Sequence, residues 1–242
     1  MTANINILEA TGITKRFGGF TALTAVDFSL AKGERLALIG PNGSGKSTFV
    51  NCLTGIIPAD DGSIMFDHND ITRVPAWLRA RHGLARTYQI PRPFHGMCVR
   101  ENVEVPLRFA AGHTSMRDIN ELAQSILEQV GLGEKGAFSP KGLTQVELRK
   151  LELGRALAAR PKVLIADEVM AGLSDSEVDE ILDLLNRLNA GGISILLIEH
   201  IMRAVMLFAQ RIMVIVAGSK IADGLPDEVM QQEEVERAYL GE

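Results

Sequence analysis

The sequence predicts an α/β fold with a parallel or mixed sheet. Short apolar runs of strand length alternate along the chain with amphipathic helical patterns, and this alternation is typical of parallel sheets covered by helices. A glycine-rich loop separates the first buried run, residues 34–39, from a helical pattern over 46–53. Apolar spacing over 77–157 is mostly helical. We therefore expect a sheet core, an N-terminal antiparallel β subdomain and an inserted α-helical lobe.

The N-terminal elements follow from local patterns. The first thirty residues alternate apolar and polar positions around a turn at Gly18-Gly19, which predicts two paired strands. The helix over 46–53 is expected to end at Gly55, because glycine readily adopts the left-handed conformation that terminates helices. A further helix is predicted over 117–130.

The second half of the chain returns to the strand and helix alternation. Apolar strands are predicted at 162–166 and 193–199, and a tight hairpin at 212–222. Between the first two strands, a capping box is expected from Ser174 and Glu177. The box starts an amphipathic helix, whose apolar face is formed by Val178, Ile181, Leu185 and Leu188. The expected organisation is one domain, 1–242, with a core lobe over 1–88 and 158–242 and a helical lobe over 89–157.

Composition excludes several classes of protein. The 242 residues are 46% hydrophobic, which suits a packed core, and the net charge of −5 gives no basic field for nucleic acid, so we expect no nucleic-acid partner. Cys52 and Cys98 are too few for a disulfide framework, which favours a reducing compartment. We find neither a secretory signal pattern nor an apolar run of the ~20 residues that a membrane helix requires. A cytoplasmic location is expected.

The glycine-rich loop matches the pattern G-x-x-x-x-G-K-[ST] between a predicted strand and a predicted helix, which is the context that supports a phosphate-binding loop. Its residues are Gly40, Pro41, Asn42, Gly43, Ser44, Gly45, Lys46, Ser47 and Thr48. Gly43 and Gly45 allow backbone N–H groups to turn inward. Lys46 is expected on the outer phosphates and Ser47 on Mg²⁺. The pattern predicts a P-loop NTPase core that binds a nucleoside triphosphate.

Downstream residues resemble those of ABC transporter ATPases. The apolar run over 162–166 ends in Asp167 and Glu168, as the second phosphate-site strand does in that family. The resemblance implies an ABC ATPase fold, ATP and Mg²⁺ as ligands, Asp167 as a water-mediated Mg²⁺ ligand, and Glu168 as the general base. It also implies that the chain is an ATPase.

Three further residues take roles from this resemblance. Gln89, in Arg-Thr-Tyr-Gln, matches the glutamine that contacts Mg²⁺ and the attacking water at the junction of the lobes. His200, after the predicted strand over 193–199, matches the histidine that bonds the γ-phosphate and orients Glu168. Phe17 stands where the family carries an aromatic ring that stacks on adenine. From the residues alone, a structural histidine and a core phenylalanine are the alternatives.

The family signature, Leu-Ser-Gly-Gly-Gln, corresponds to the divergent segment Leu143, Thr144, Gln145, Val146 and Glu147. In the family, the helix that follows offers its N-terminal amides to the partner's γ-phosphate. Thr144 is expected to cap this helix. Val146 replaces a glycine, and Glu147 is expected to bring a negative charge close to phosphate. Both changes argue against fast hydrolysis.

Several short motifs resemble the ATP-binding subunits of branched-chain amino-acid importers, and they extend to the terminal Ala-Tyr-Leu-Gly-Glu, residues 238–242. The resemblance implies a second ABC ATPase subunit, a separate membrane permease that docks near residues 89–100, and indirectly an external solute-binding protein. It places the chain at the cytoplasmic side of the membrane. An apolar landing for the permease is expected, with an ordinary surface loop as the alternative; its residues are Ile90, Pro91, Pro93, Phe94 and Met97.

Two other functions compete with a transport ATPase. A soluble ABC ATPase of DNA repair or translation usually carries two cores or a long coiled-coil insertion, and neither is found here. A non-hydrolysing regulatory clamp would explain the divergent signature. The transported solute, the direction of transport apart from the family resemblance, and the choice between homodimer and heterodimer stay open.

Overall fold

The computed structural model describes residues 5–112 and 115–240. The strands, in chain order, are β1 (Asn6–Phe17), β2 (Phe20–Ala31), β3 (Arg35–Ile39), β4 (Asp61–Phe66), β5 (Asn69–Asp70), β6 (Leu84–Arg86), β7 (Val163–Asp167), β8 (Ser194–Ile198), β9 (Arg211–Val216) and β10 (Ser219–Gly224). The helices are α1 (Lys46–Thr54), α2 (Ala76–His82), α3 (Val99–Phe109), α4 (Met116–Gln129), α5 (Gln145–Ala158), α6 (Asp175–Ala190), α7 (Met202–Phe208), α8 (Pro226–Met230) and α9 (Glu233–Leu240). The predicted boundaries at 1 and 242, and the terminal Gly241 and Glu242, lie outside the described residues.

The strands form two sheets. The first is antiparallel, in the order β2-β1-β4-β5, and contains the predicted N-terminal hairpin. The second has the order β10-β9-β3-β8-β7-β6, in which β9 to β6 are parallel and β10 pairs antiparallel with β9. The β9–β10 turn passes through Ala217 and Gly218, both at positive φ, as a tight hairpin requires. The mixed sheet is as predicted.

Side chains of the second sheet contribute to three apolar clusters. On β3, Leu36 and Leu38 pack with α1 and the first sheet, whereas Ala37 and Ile39 pack on the opposite side with α7 and β9. On β7, Leu164 and Ala166 join the cluster of helices α3 to α6. Strands covered on both faces read as continuous apolar runs. This explains why the sequence pattern of β3, β7 and β8 is uninterrupted.

The sequence expectation of a mostly helical segment over 77–157 misses one strand. Residues Leu84–Arg86 form β6, which pairs in parallel with β7 at the edge of the second sheet. Three residues are too short to show a period of two, so their pattern could not be distinguished from the helices on either side. Predicted helices over 46–53 and 117–130 are present as α1 and α4, and the amphipathic helix is α6.

No helix within residues 5–112 and 115–240 combines the length and the apolar character that spanning a bilayer requires.

Candidate functional site

The glycine-rich loop joins the end of β3 to the start of α1. Gly40 and Gly45 are required by close packing, because a Cβ on Gly40 would lie 2.0 Å from the carbonyl oxygen of Ile215, and one on Gly45 2.9 Å from that of Ala22. The loop is held by the β9–β10 turn, where the Gly218 N–H donates to the Ser44 carbonyl over 2.8 Å. The first N–H groups of α1 have no partner within the helix and lie beside this loop. The arrangement suits binding of phosphate oxygens.

Lys46 opens α1 and turns its side chain back over the loop. Its Nζ donates to the carbonyl oxygens of Gly40, at 2.7 Å, and Pro41, at 2.9 Å. Burial lowers the pKa of Lys46, and the charges of Glu168 and Asp167 oppose that shift. The charges of Asp167, the last residue of β7, and of Glu168, which follows it, therefore act on the lysine of the phosphate loop.

Asp167 is buried at the carboxyl end of β7. Its Oδ2 accepts from Arg86 Nη2 at 2.7 Å, and Arg86 Nη1 donates to Asn51 Oδ1 on α1 at 2.6 Å. The Asp167 N–H donates to Thr87 Oγ1 at 3.1 Å. A buried carboxylate requires such partners. Arg86 links the phosphate-loop helix to Asp167, and sequence reasoning noticed it only as part of a family motif.

Glu168 adopts a left-handed backbone conformation, with φ of 47°. Such a conformation is uncommon outside glycine and concentrates at functional sites. The Glu168 N–H donates to the carbonyl of Ile198 at the end of β8, over 2.9 Å. Its Oε2 accepts from Gln89 Nε2 over 2.5 Å. The structure therefore brings together two residues that are 79 positions apart and were both assigned to the site from the sequence.

His200 follows β8, and its side chain is 62% exposed. Within the described residues it forms no hydrogen bond to Glu168. Its Nδ1 lies 4.0 Å from Oε2 of Glu199, whose side chain is fully buried. Glu199 Oε1 accepts from the Met170 N–H at 2.9 Å, just beyond Glu168. Sequence reasoning gave Glu199 no role of its own, because it only ends the predicted strand over 193–199, directly after β8.

Replacing Glu199 by glutamine is expected to stabilise the protein increasingly as pH rises. Burial raises the pKa of Glu199 above its ordinary value of 4.5. Between these two pKa values the folded chain binds more protons than the unfolded chain, so wild-type stability falls as pH rises from about 4.5. Glutamine can keep the bond to Met170 without titrating.

Thermal unfolding of both proteins at pH 4.5, 6 and 7.5 measures this effect. The Tm of Glu199→Gln relative to wild type should increase with pH. Glu121→Gln provides the matched control, because Glu121 is exposed. Its Tm difference from wild type should stay constant with pH. A Tm difference for Glu199→Gln that is flat or falls with pH would contradict the prediction.

Phe17 ends β1 with its ring half exposed. The Lys15 ammonium lies 5.5 Å from the ring centroid. An exposed aromatic face beside a cation can stack on a nucleobase. The structure therefore presents the ring rather than burying it in the core, which was the alternative left open by the sequence.

Thr144 caps α5, and the capping geometry changes the interpretation of Glu147. The Glu147 N–H donates to Thr144 Oγ1 at 3.4 Å, and Glu147 Oε2 accepts from the Thr144 N–H at 3.0 Å. Glu147 Oε1 is paired with the Lys135 ammonium, and these bonds lower the pKa of Glu147. Its charge is therefore compensated by Lys135, which sequence reasoning did not anticipate. Val146 packs into the helical core, while Gln145 Nε2 donates to the Ala171 carbonyl at 3.4 Å.

The candidate magnesium ligands are oxygen donors of the type that Mg²⁺ prefers. They are the Ser47 hydroxyl, which is exposed on α1, the amide oxygen of Gln89 and the carboxylate of Asp167. Since Arg86 engages Oδ2 of Asp167, the other carboxylate oxygen is the one suited to a metal-bound water. The chemistry of these donors fits Mg²⁺.

Comparison with known proteins supports the same conclusion. The family model described as ABC transporter matches residues 23–171. The chain belongs to the ABC transporter family. This assignment confirms the predicted resemblance and class of function, an ATP-hydrolysing subunit of an ABC transporter.

Individual relatives agree with the family. The high-affinity branched-chain amino acid transport ATP-binding protein BraF of Pseudomonas aeruginosa is 37% identical, with 98% of both chains covered. The corresponding LivG protein of Escherichia coli K12 is 35% identical over the same shares. The ADP conformation of MJ1267, an ATP-binding cassette of an ABC transporter, superposes with a TM-score of 0.87 at 31% identity, covering 98% of this chain and 100% of that one. The predicted ABC ATPase fold is confirmed.

Proposed function

We propose that this ABC transporter subunit binds Mg·ATP at the glycine-rich loop. The loop amides and Lys46 hold the phosphates, and Phe17 stacks on the adenine. Ser47, Gln89 and Asp167 hold Mg²⁺, the last through water. When bound, Mg²⁺ neutralises charge on the phosphate oxygens. The charges of Asp167 and Glu168, which oppose the lowering of the Lys46 pKa by burial, support this assignment.

Hydrolysis is assigned to Glu168, Gln89 and His200. The observation that carries this proposal is the 2.5 Å hydrogen bond from Gln89 to Glu168. It joins the candidate base to the segment between β6 and α3. Glu168 takes the proton of the attacking water, and Gln89 orients both. His200, exposed at the end of β8, is assigned to the γ-phosphate.

A second ABC ATPase subunit completes the site across a dimer interface. Residues 144–147 present the N-terminus of α5, whose amides would bind the partner's γ-phosphate. Two findings support a working signature despite its divergence: Val146 points into the helical core, and the charge of Glu147 is paired with Lys135. The regulatory, non-hydrolysing alternative loses its main support.

The transporter partner is a membrane permease, which this subunit contacts from the cytoplasmic side. An apolar groove of about 260 Å³ lies between α2, β6, α3 and α5. Its lining includes Phe94 from the segment 89–100 and Tyr88, the residue before that segment, and both rings are partly exposed. This groove suits apolar side chains presented by a short permease helix. By the names of its relatives, the solute is a branched-chain amino acid or a related small molecule, delivered by an external solute-binding protein.

The test is size-exclusion chromatography with light scattering on the Glu168→Gln variant, in which hydrolysis is blocked. We expect monomer without nucleotide and dimer with Mg·ATP. The matched control adds Lys46→Ala, which removes the phosphate contact and should keep the protein monomeric with Mg·ATP. A Glu168→Gln protein that binds ATP and stays monomeric would show that dimer formation requires a sister subunit or the permease, and the homodimer of this chain alone would be wrong.

A further inference from the structure

Arg149 lies in the second turn of α5 and is buried, with 5% of its surface exposed. Its guanidinium leaves the helix toward the site rather than toward solvent. Nη1 donates to the main-chain carbonyl of Gln89, and Nη2 donates to that of Ala171 at 3.1 Å. Arginine can make both contacts at once because its donors form a rigid planar fork.

The two acceptors flank the candidate base. Gln89 binds Glu168 directly through its side chain, and Ala171 belongs to the loop that follows Glu168, where the Ala171 N–H donates to the Glu168 carbonyl over 3.3 Å. Arg149 itself belongs to the helix that starts with the signature segment. One side chain therefore links the signature helix to both backbone segments that determine where Glu168 lies.

The loop after Glu168 is held from two sides. From the core lobe, Glu199 accepts from the Met170 N–H at 2.9 Å. From the helical lobe, Arg149 donates to the carbonyl of the following residue, Ala171. Both charged residues are buried. Burying charges is unfavourable unless they are bonded, so their joint presence around this short loop calls for an explanation beyond packing.

We propose that Arg149 is a positioning residue, through which the orientation of the signature helix controls the geometry of the Gln89–Glu168 pair. The inference rests on the proposed roles of Gln89 and Glu168 in hydrolysis. When the guanidinium holds the Gln89 carbonyl, the Gln89 amide is aimed at Glu168. Without it, the backbone at Gln89 is free to shift, and a displacement of about 1 Å can lower a rate about 100-fold.

The conservative variant Arg149→Lys provides the test, because lysine keeps the charge but lacks the fork that reaches both carbonyls. We expect kcat for phosphate release at saturating Mg·ATP to fall roughly 10- to 100-fold. The Kd for a fluorescent ATP analogue should stay within about twofold, since the phosphate loop is untouched, and Tm should change little. Lys150→Gln is the matched control: it removes the neighbouring contact to Glu180, which touches neither carbonyl, and should leave kcat unchanged.

A double-mutant cycle separates positioning from a structural role. If Arg149 acts through Gln89, adding Arg149→Lys to the Gln89→Ala variant should leave the kcat of that variant almost unchanged. A full additional loss there, an unchanged kcat in the single variant, or parallel losses of ATP affinity and Tm would each overturn the inference. A Gln89→Ala variant with wild-type kcat would instead show that the proposed role of Gln89 is wrong, and the inference would fall with it.

Discussion

Replacement of Glu168 by glutamine is expected to lower the rate of ATP hydrolysis by about 10²- to 10⁴-fold, the contribution typical of a positioned general base. Glutamine has the shape of glutamate and its oxygen can still accept the bond from Gln89, but it cannot take a proton from water. ATP affinity should therefore persist. Phosphate release under saturating Mg·ATP, together with nucleotide binding, measures the two effects separately.

Glu121→Gln is the control for this substitution, because Glu121 is an exposed partner of Arg117 in α4. Its rate should equal that of wild type. If Glu168→Gln released phosphate within about threefold of wild type, the general base would lie elsewhere. His200, exposed at the end of the neighbouring strand, would then be the next residue to replace.

Arg79 is expected to be the residue whose loss most destabilises the phosphate-loop helix. It is 2% exposed and donates to four carbonyls, two of them from the last turn of α1. The acceptors are Cys52 at 2.9 Å, Leu53 at 2.7 Å, Thr72 at 3.0 Å and Val74 at 2.7 Å. Arg79→Met removes this donor from all four oxygens; the Cys52 carbonyl still accepts from the Gly55 N–H, and each buried group left unpaired costs about 1–3 kcal/mol.

We expect the free energy of unfolding to fall by about 3–5 kcal/mol, and Tm by roughly 6–20 °C. Equilibrium denaturation in urea measures the first and thermal unfolding the second. Arg81→Met is the matched control on the same helix, since Arg81 is exposed, its bond goes to the Phe109 carbonyl outside α1, and it should contribute within about 0.5 kcal/mol. Similar losses in the two variants would show that the carbonyl contacts of Arg79 are not what stabilises α1.

Most of the fold could be predicted because its signals are local. The apolar runs that form β3, β7 and β8 are short and bounded, and the phosphate loop occupies consecutive residues between a strand and a helix. β6 escaped prediction because it has only three residues. Its position depends on pairing with β7, nearly eighty residues further along the chain.

Glu147 shows a local signal that was available and not used. Thr144 followed three residues later by Glu147 has the spacing of a capping box, in which the acid turns back to the helix start. The structure contains this box, with Lys135 as an added partner. The charge of Glu147 could have been assigned to the cap from the sequence, whereas the pairing with Lys135 could not.

By itself, the sequence determined the family, the mixed α/β architecture, the phosphate loop and the candidate residues Gln89, Asp167, Glu168 and His200. Tertiary structure alone decided that Gln89 reaches Glu168, that Arg86 reaches Asp167, and that Arg79 and Arg149 are buried against main-chain carbonyls. The physical reason is the nature of the acceptors. Every residue has a carbonyl oxygen, so no residue type in the sequence marks the partners that a buried arginine will find once the chain has folded.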